Sequence, residues 1–233
     1  MKKFNKNMFG YAHHVLLGVL VVAVIVLAGV KVLTGTRAQT PAVSASIGTA
    51  ASFTATPDQL KALAVSNKTT LSSAEAGRQV CPEVSGEKQL KSLNKQVRNA
   101  INDFRKNKSL PTLSRSLKLN ASARQHSEEM DAKAYFDHPC YDGTVFWKRI
   151  QRYYSSTNYS YWTVGENLVW STGSLSAADA LKLWIGSPEH LRNLKDPNWR
   201  DLGVSAVQAT NAGGVYGNGT VTIITTDFGA RHN

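Results

Sequence analysis

The chain has 233 residues and a formal net charge of +11. That length holds one ordinary domain plus extensions. Two cysteines exclude a disulfide framework, and the lack of a CxxC pair excludes zinc fingers and thioredoxin-type chemistry. Lys2, Lys3, Lys6, Lys31 and Arg37 carry five of the eleven net charges in the first forty residues, where there is no acid, leaving +6 for the rest. No basic helix face or aromatic-interleaved basic patch stands out, so nucleic acid is not an expected partner. The surplus suits an anionic envelope polymer or a lipid surface.

Residues 1–14 form a short basic N-terminus ahead of an apolar run over 15–33. Nineteen helical residues span roughly 28 Å, close to the ~30 Å of a hydrocarbon core. Lys31 can snorkel to the headgroups, and Lys2, Lys3 and Lys6 orient the N-terminus to the cytoplasm. The expectation is a single-pass membrane protein whose C-terminal part is extracytoplasmic. The alternative is secretion after cleavage of a signal peptide near Val43-Ser44-Ala45. Residues 34–84, rich in Ala, Ser and Thr, lack the apolar surface to offset ordering entropy and read as a flexible tether. One short helix is expected where Thr56 caps Pro57-Asp58-Gln59.

Residues 85–233 read as the folded domain. Leu90, Leu93, Val97, Ile101 and Phe104 form one helical stripe that ends before Leu110-Pro111. A second helix over 117–134 puts Leu119, Ala123, His126 and Met130 on one face, with His126 as a hydrogen-bonded core residue. Asp142-Gly143 turns the chain, and Thr144 can cap a helix bearing Phe146, Trp147 and Ile150. Residues 153–162 read as a loop and Glu166–Trp170 as a short extended segment. Ser176 caps a further helix, and Ser187-Pro188 opens another that carries His190. Two β-branched runs, 202–209 and 221–228, flank a Gly- and Asn-rich connection, as in a hairpin. Helices first and a hairpin last imply an α+β domain.

Six pieces of this sequence, in this order, resemble the CAP superfamily of cysteine-rich secretory, venom-antigen and pathogenesis-related proteins, in its compact bacterial branch. They are Ile101–Arg105 with Leu110-Pro111; Ala123-Arg124-Gln125-His126 with Met130; Phe136-Asp137-His138 with Asp142-Gly143; Gly165-Glu166-Asn167; Trp184 with Ser187-Pro188-Glu189-His190 and Arg192-Asn193; and Asp227-Phe228-Gly229. The resemblance implies an α-β-α sandwich (an SCP-like domain) with His138, Glu166 and His190 in a central cleft. Many eukaryotic members carry a second Glu where this chain has Ser187.

Two imidazoles and a carboxylate can ligate Zn²⁺ with an open fourth position, and a bound water would then be acidified for hydrolysis. The same three side chains can equally form a hydrogen-bonded cluster that pins the cleft loops, with no cofactor required. The first functional expectation is therefore a binding module at the cell envelope for a lipid, glycan, peptide or other cell-wall ligand. The second is a zinc hydrolase using His138, Glu166 and His190. Tyr153, Tyr154, Tyr159, Tyr161, Trp162 and Trp170 flank Glu166 and could form a stacking rim or an aromatic core. Cys140 is expected to pair with Cys81, as an exported cysteine with one available partner.

Overall fold

A computed structural model of the chain describes residues 45–62 and 88–233. The apolar run over 15–33 lies outside the described residues. Among those described, no helix is long and apolar enough to cross a membrane. The elements in chain order are β1 (Ala45–Ser46), β2 (Ala51–Thr54), α1 (described over 57–62), β3 (Lys88–Gln89), α2 (Lys91–Lys106), β4 (Ser114–Arg115), α3 (Leu117–Ala132), α4 (Phe146–Tyr153), β5 (Tyr161–Thr172), α5 (Ala177–Gly186), α6 (Pro188–Lys195), β6 (Asp201–Ala212) and β7 (Gly219–His232).

The strands build one seven-stranded sheet in the order β1-β5-β7-β6-β3, with β2 also on β5 and β4 also on β6. The long strands β5, β7 and β6 pair antiparallel, and β4 joins β6 in parallel. One face packs against α2, α5 and α6 through Leu93, Val97, Ile101, Ala180, Trp184 and Leu194. The other face packs against α3 and α4 through Leu119, Met130 and Ile150. The layers are thus helix, sheet, helix, as the resemblance implies. Trp162, Trp184 and Trp199 are buried, and each indole N–H donates to a backbone carbonyl, of Tyr154, Leu168 and Asn193 respectively. Burying a large apolar side chain contributes about 1.5–3 kcal/mol, and the carbonyl partner removes the cost of the buried N–H. Trp184 thereby fixes α5 to the middle of β5.

Several expectations need correction. The tether reading fails for residues 45–62. β1 and β2 lie antiparallel on β5, and Ala55 and Leu60 are buried among Leu119, Ile150, Tyr154 and Trp162. A strand can be held by backbone hydrogen bonds that composition does not register. The Thr56 cap is present: the Gln59 N–H donates to Oγ1 of Thr56, and the Thr56 N–H donates to the Gln59 side chain. Thr144 does not cap α4. Val145 is the N-cap residue, and the Thr144 N–H donates to Asp142 instead. β5 is twelve residues long rather than a short extended segment. Its residues are buried on both faces, so no alternation marks its length.

The aromatic set divides, with Tyr153, Tyr159, Tyr161 and Trp170 half-buried. Tyr154 and Trp162 are core residues. Tyr154 and Tyr159 gather around the guanidinium of Arg231, 4.0 and 4.6 Å from the ring centroids, and Tyr161 stacks on His232.

Candidate functional site

The segment Gly165-Glu166-Asn167 lies at the middle of β5, and each of its residues has a distinct role. A Cβ on Gly165 would meet the Trp199 ring at 2.9 Å and the Ala51 carbonyl oxygen at 3.2 Å. Glycine is what lets the indole and β2 both approach. Glu166 faces the α3/α4 layer, opposite Asp227 on β7. Asn167 faces the other layer, where its amide donates to the carbonyl of His190 (3.2 Å) and its oxygen accepts from Asn193 (2.9 Å).

Glu166 is fully buried. One carboxylate oxygen accepts from Nδ1 of His138 at 2.6 Å and the other is ion-paired to Arg149. Nε2 of His126 stands 3.9 Å from the first oxygen. Burial opposes ionisation, but Arg149, His126 and His138 outweigh it and hold the carboxyl well below the usual carboxylate range. His138 is fixed by its loop. Its backbone N–H donates to Asp137 (2.7 Å), its carbonyl accepts from Arg149 (3.0 Å), and Nε2 of His126 bonds the Asp137 carbonyl (2.8 Å). Nε2 of His138 donates to the carbonyl oxygen of Thr49. A carboxylate and a carbonyl are both pure acceptors, so both ring nitrogens carry protons and the ring is an imidazolium. Burial alone would depress its pKa, but Glu166 and Thr49 reverse the direction and raise it.

His190 sits in the first turn of α6. Its Nδ1 bonds Oγ of Ser187 at 2.8 Å. Ser187 thus occupies, as a ring-orienting partner, the position where many eukaryotic members carry a second Glu. Nε2 of His190 is buried without a hydrogen-bond partner. Burial, then the positive charge of His138, push this ring down to about 4. The structure therefore joins His138 to Glu166 directly and sets His190 beside them through Asn167 and Asn193. Asn193 links both sides, donating to the carbonyls of Glu166 (3.2 Å) and Ala51 (3.0 Å).

The donor set does not fit a metal. Both nitrogens of His138 are spent, Glu166 already balances a guanidinium that would repel a dication, and only Nε2 of His190 is uncommitted. Among the described residues no group of three His, Cys, Asp or Glu side chains could hold a metal ion. Arg149, His126, Asp227 and Asn193 were not singled out as site residues from sequence. His126, Asn193 and Asp227 lie in the motifs that carry the resemblance, and Arg149 is marked as a cation directly before the buried Ile150 on an otherwise apolar helix face.

Cys140, two residues beyond His138, is disulfide-bonded, and among the described residues no cysteine is free. Cys81, the only other cysteine of the chain, lies outside the described residues.

The chain is similar to several known proteins. The uncharacterized protein YkwD of Bacillus subtilis (strain 168) is 33% identical over 117 residues, which cover 49% of this chain and 42% of YkwD. The chain thus matches less than half the length of that relative. An outer surface protein from Borrelia burgdorferi superposes with a TM-score of 0.51 at 20% identity, over 64% of this chain and 99% of that one, a likeness of fold. An extracellular protein containing an SCP domain from Bacillus anthracis str. Ames gives a TM-score of 0.46 at 22% identity, over 69% of this chain and 50% of that one. The model of the CAP, or cysteine-rich secretory protein, family matches residues 98–225. That span runs from α2 into β7 and takes in His138, Glu166 and His190 together, which makes this chain a member of the CAP family.

Proposed function

We propose that this protein is a membrane-tethered, extracytoplasmic binding module whose cleft holds an extended peptide and does no chemistry on it. The observation that carries this reading is the occupant the cleft already has. Residues 45–54 run along the exposed edge of β5, with Ser46 opposite Trp170 and Ala51 opposite Glu166. Five steps along this strap answer four along β5, so the strap carries one extra residue, a bulge. The bulge turns the Thr49 carbonyl to His138 while the Ala51 carbonyl takes Asn193. Phe53 stacks on Trp147 with ring centroids 4.4 Å apart and planes 11° from parallel. Backbone hydrogen bonds along an edge strand plus one aromatic anchor are how sheet-edge receptors hold peptides.

A binding role also suits the state of Glu166. A carboxylate already neutralised by a guanidinium and an imidazolium is a weak base. The one hydroxyl placed on an imidazole of the site, Oγ of Ser187 on His190, faces a ring whose pKa is pushed down to about 4, which makes that ring a weak base as well. Tethering follows from the apolar run over 15–33 and its flanking lysines. Membership of a family of secretory proteins fits the same placement outside the cytoplasm.

A fluorescent peptide of residues 45–54 tests the reading. Phe53→Glu should loosen the resident strap and raise the affinity for added peptide about tenfold over wild type, since a site open only part of the time binds in proportion to that fraction. The peptide should be recovered intact. Equal peptide binding by both proteins, or hydrolysis that His138→Ala abolishes, would overturn it.

A further inference from the structure

A second recessed site lies at the opposite edge of the sheet from the cleft, on β6. Two short strands cover that edge incompletely. β4 reaches Asp201 and Leu202, and β3 reaches Val207 and Gln208. Between them the edge from Gly203 to Ala206 has no strand partner among the described residues. Two asparagines seal its backbone: the Val204 N–H donates to Asn120 of α3 (2.9 Å) and the Ala206 N–H to Asn94 of α2 (2.6 Å). A pocket of about 400 Å³ remains over this gap, with Val204 and Ser205 among its lining residues.

The walls of the pocket are cationic. α2 contributes Lys91, Lys95 and Arg98, β4 contributes Arg115 and α3 contributes Arg124. Arg124 is paired with Glu128 at 2.6 Å. Among the described residues no carboxylate pairs with Lys91, Lys95, Arg98 or Arg115. The five cations belong to three elements, so no run of basic residues announces them in the sequence. Helix α2 also starts at this edge with no acidic residue in its first turn and no side-chain cap. Its free N–H groups and dipole add to the positive field. Deep in the pocket wall, Ser205 is 1% exposed and its hydroxyl has no hydrogen-bond partner.

We propose that this gap is an anion site for a phosphoryl group, and that it takes a ligand with two or more negative charges, either a phosphorylated small molecule or a phospholipid headgroup. Five converging cations exceed what one carboxylate can neutralise. Guanidinium and ammonium groups together match phosphate oxygens, the former by paired donors and the latter as a point charge.

Pyrophosphate serves as the free-phosphate probe and short-chain phosphatidic acid, a phosphate monoester used below its micelle concentration, as the headgroup probe. Each is titrated calorimetrically into the full chain in neutral detergent. Pyrophosphate should bind, and added salt should weaken it. Replacing Lys95 and Arg98 together by Gln should reduce affinity about tenfold or more, as expected for lost charge-assisted hydrogen bonds. The same change of net charge made at the remote, exposed Lys108 and Lys182 should leave affinity unaltered. Binding of the lipid alone, with the same dependence on Lys95 and Arg98, would assign the source to a headgroup and support the site. Binding of neither probe, or equal loss in both paired variants, would overturn the proposal.

Discussion

Buried charge at the site is balanced by uneven titration of two carboxyls. Glu166 and Asp227 oppose each other across the β5–β7 ladder, both fully buried. Arg149 and His138 are engaged with Glu166. Burial first, and then the negative charge of Glu166, push Asp227 well above its ordinary pKa. The pair therefore keeps one proton, held at Asp227. An unfolded Asp ionises near pH 3.9, so above about pH 4 the folded state binds the extra proton and each rise in pH costs stability, until the folded Asp227 itself ionises. Asn has the shape of a protonated Asp without that linkage. Urea unfolding of Asp227→Asn should match wild type near pH 4 and gain on it steadily toward pH 8. A difference that stays flat across that range would mean Asp227 is ionised in the fold. His126, expected as a core histidine, does bond a backbone carbonyl, but it also stands beside Glu166. Sequence spacing gives the face a residue occupies on its helix and not the strand residue it will meet.

The helices were legible because their burial is one-sided. The stripe Leu93, Val97, Ile101 of α2 and the buried set Leu119, Ala123, His126, Met130 of α3 recur at helical spacing. Strands were legible only in part. The runs 202–209 and 221–228 fall inside β6 and β7. By contrast β5 carries Glu166 and Asn167, whose partners come from distant segments, and β2 contributes its backbone more than its side chains. One close approach between elements is testable by a single methyl group. α3 crosses β6 at Gly203, where a Cβ would lie 2.2 Å from the carbonyl carbon of Leu119 and 2.5 Å from the Asn120 nitrogen. Both neighbours are backbone, so the helix itself must shift. Gly203→Ala should destabilise the fold by about 1–3 kcal/mol or more, in the manner of an overpacked core, as read from the denaturant midpoint. It should also weaken pyrophosphate binding, since the seal between Asn120 and Val204 moves with α3. An unchanged midpoint would show that the helix can slide freely over the strand.

For the molecule as a whole, the sheet has two open edges and the chain deals with them differently. The strap covers β5, whereas at β6 short strands leave a gap rimmed by cations, and both arrangements blunt an edge against pairing with other chains. On the strap side, the loop bearing His138 has a second restraint through Cys140, which is disulfide-bonded. The chain offers Cys81 alone as an intrachain partner. A bridge between them closes a loop of about 60 residues, for which chain entropy gives roughly 4 kcal/mol. Denatured, unreduced protein should then show no free thiols. Reduction should lower the urea midpoint by an amount comparable to that figure, with the bound strap loosened in the same step, because Thr49 is held by a ring two residues from the reduced sulfur. Two titratable thiols before reduction, or a midpoint indifferent to it, would leave the cleft loop to be fixed by Arg149 and His126 alone.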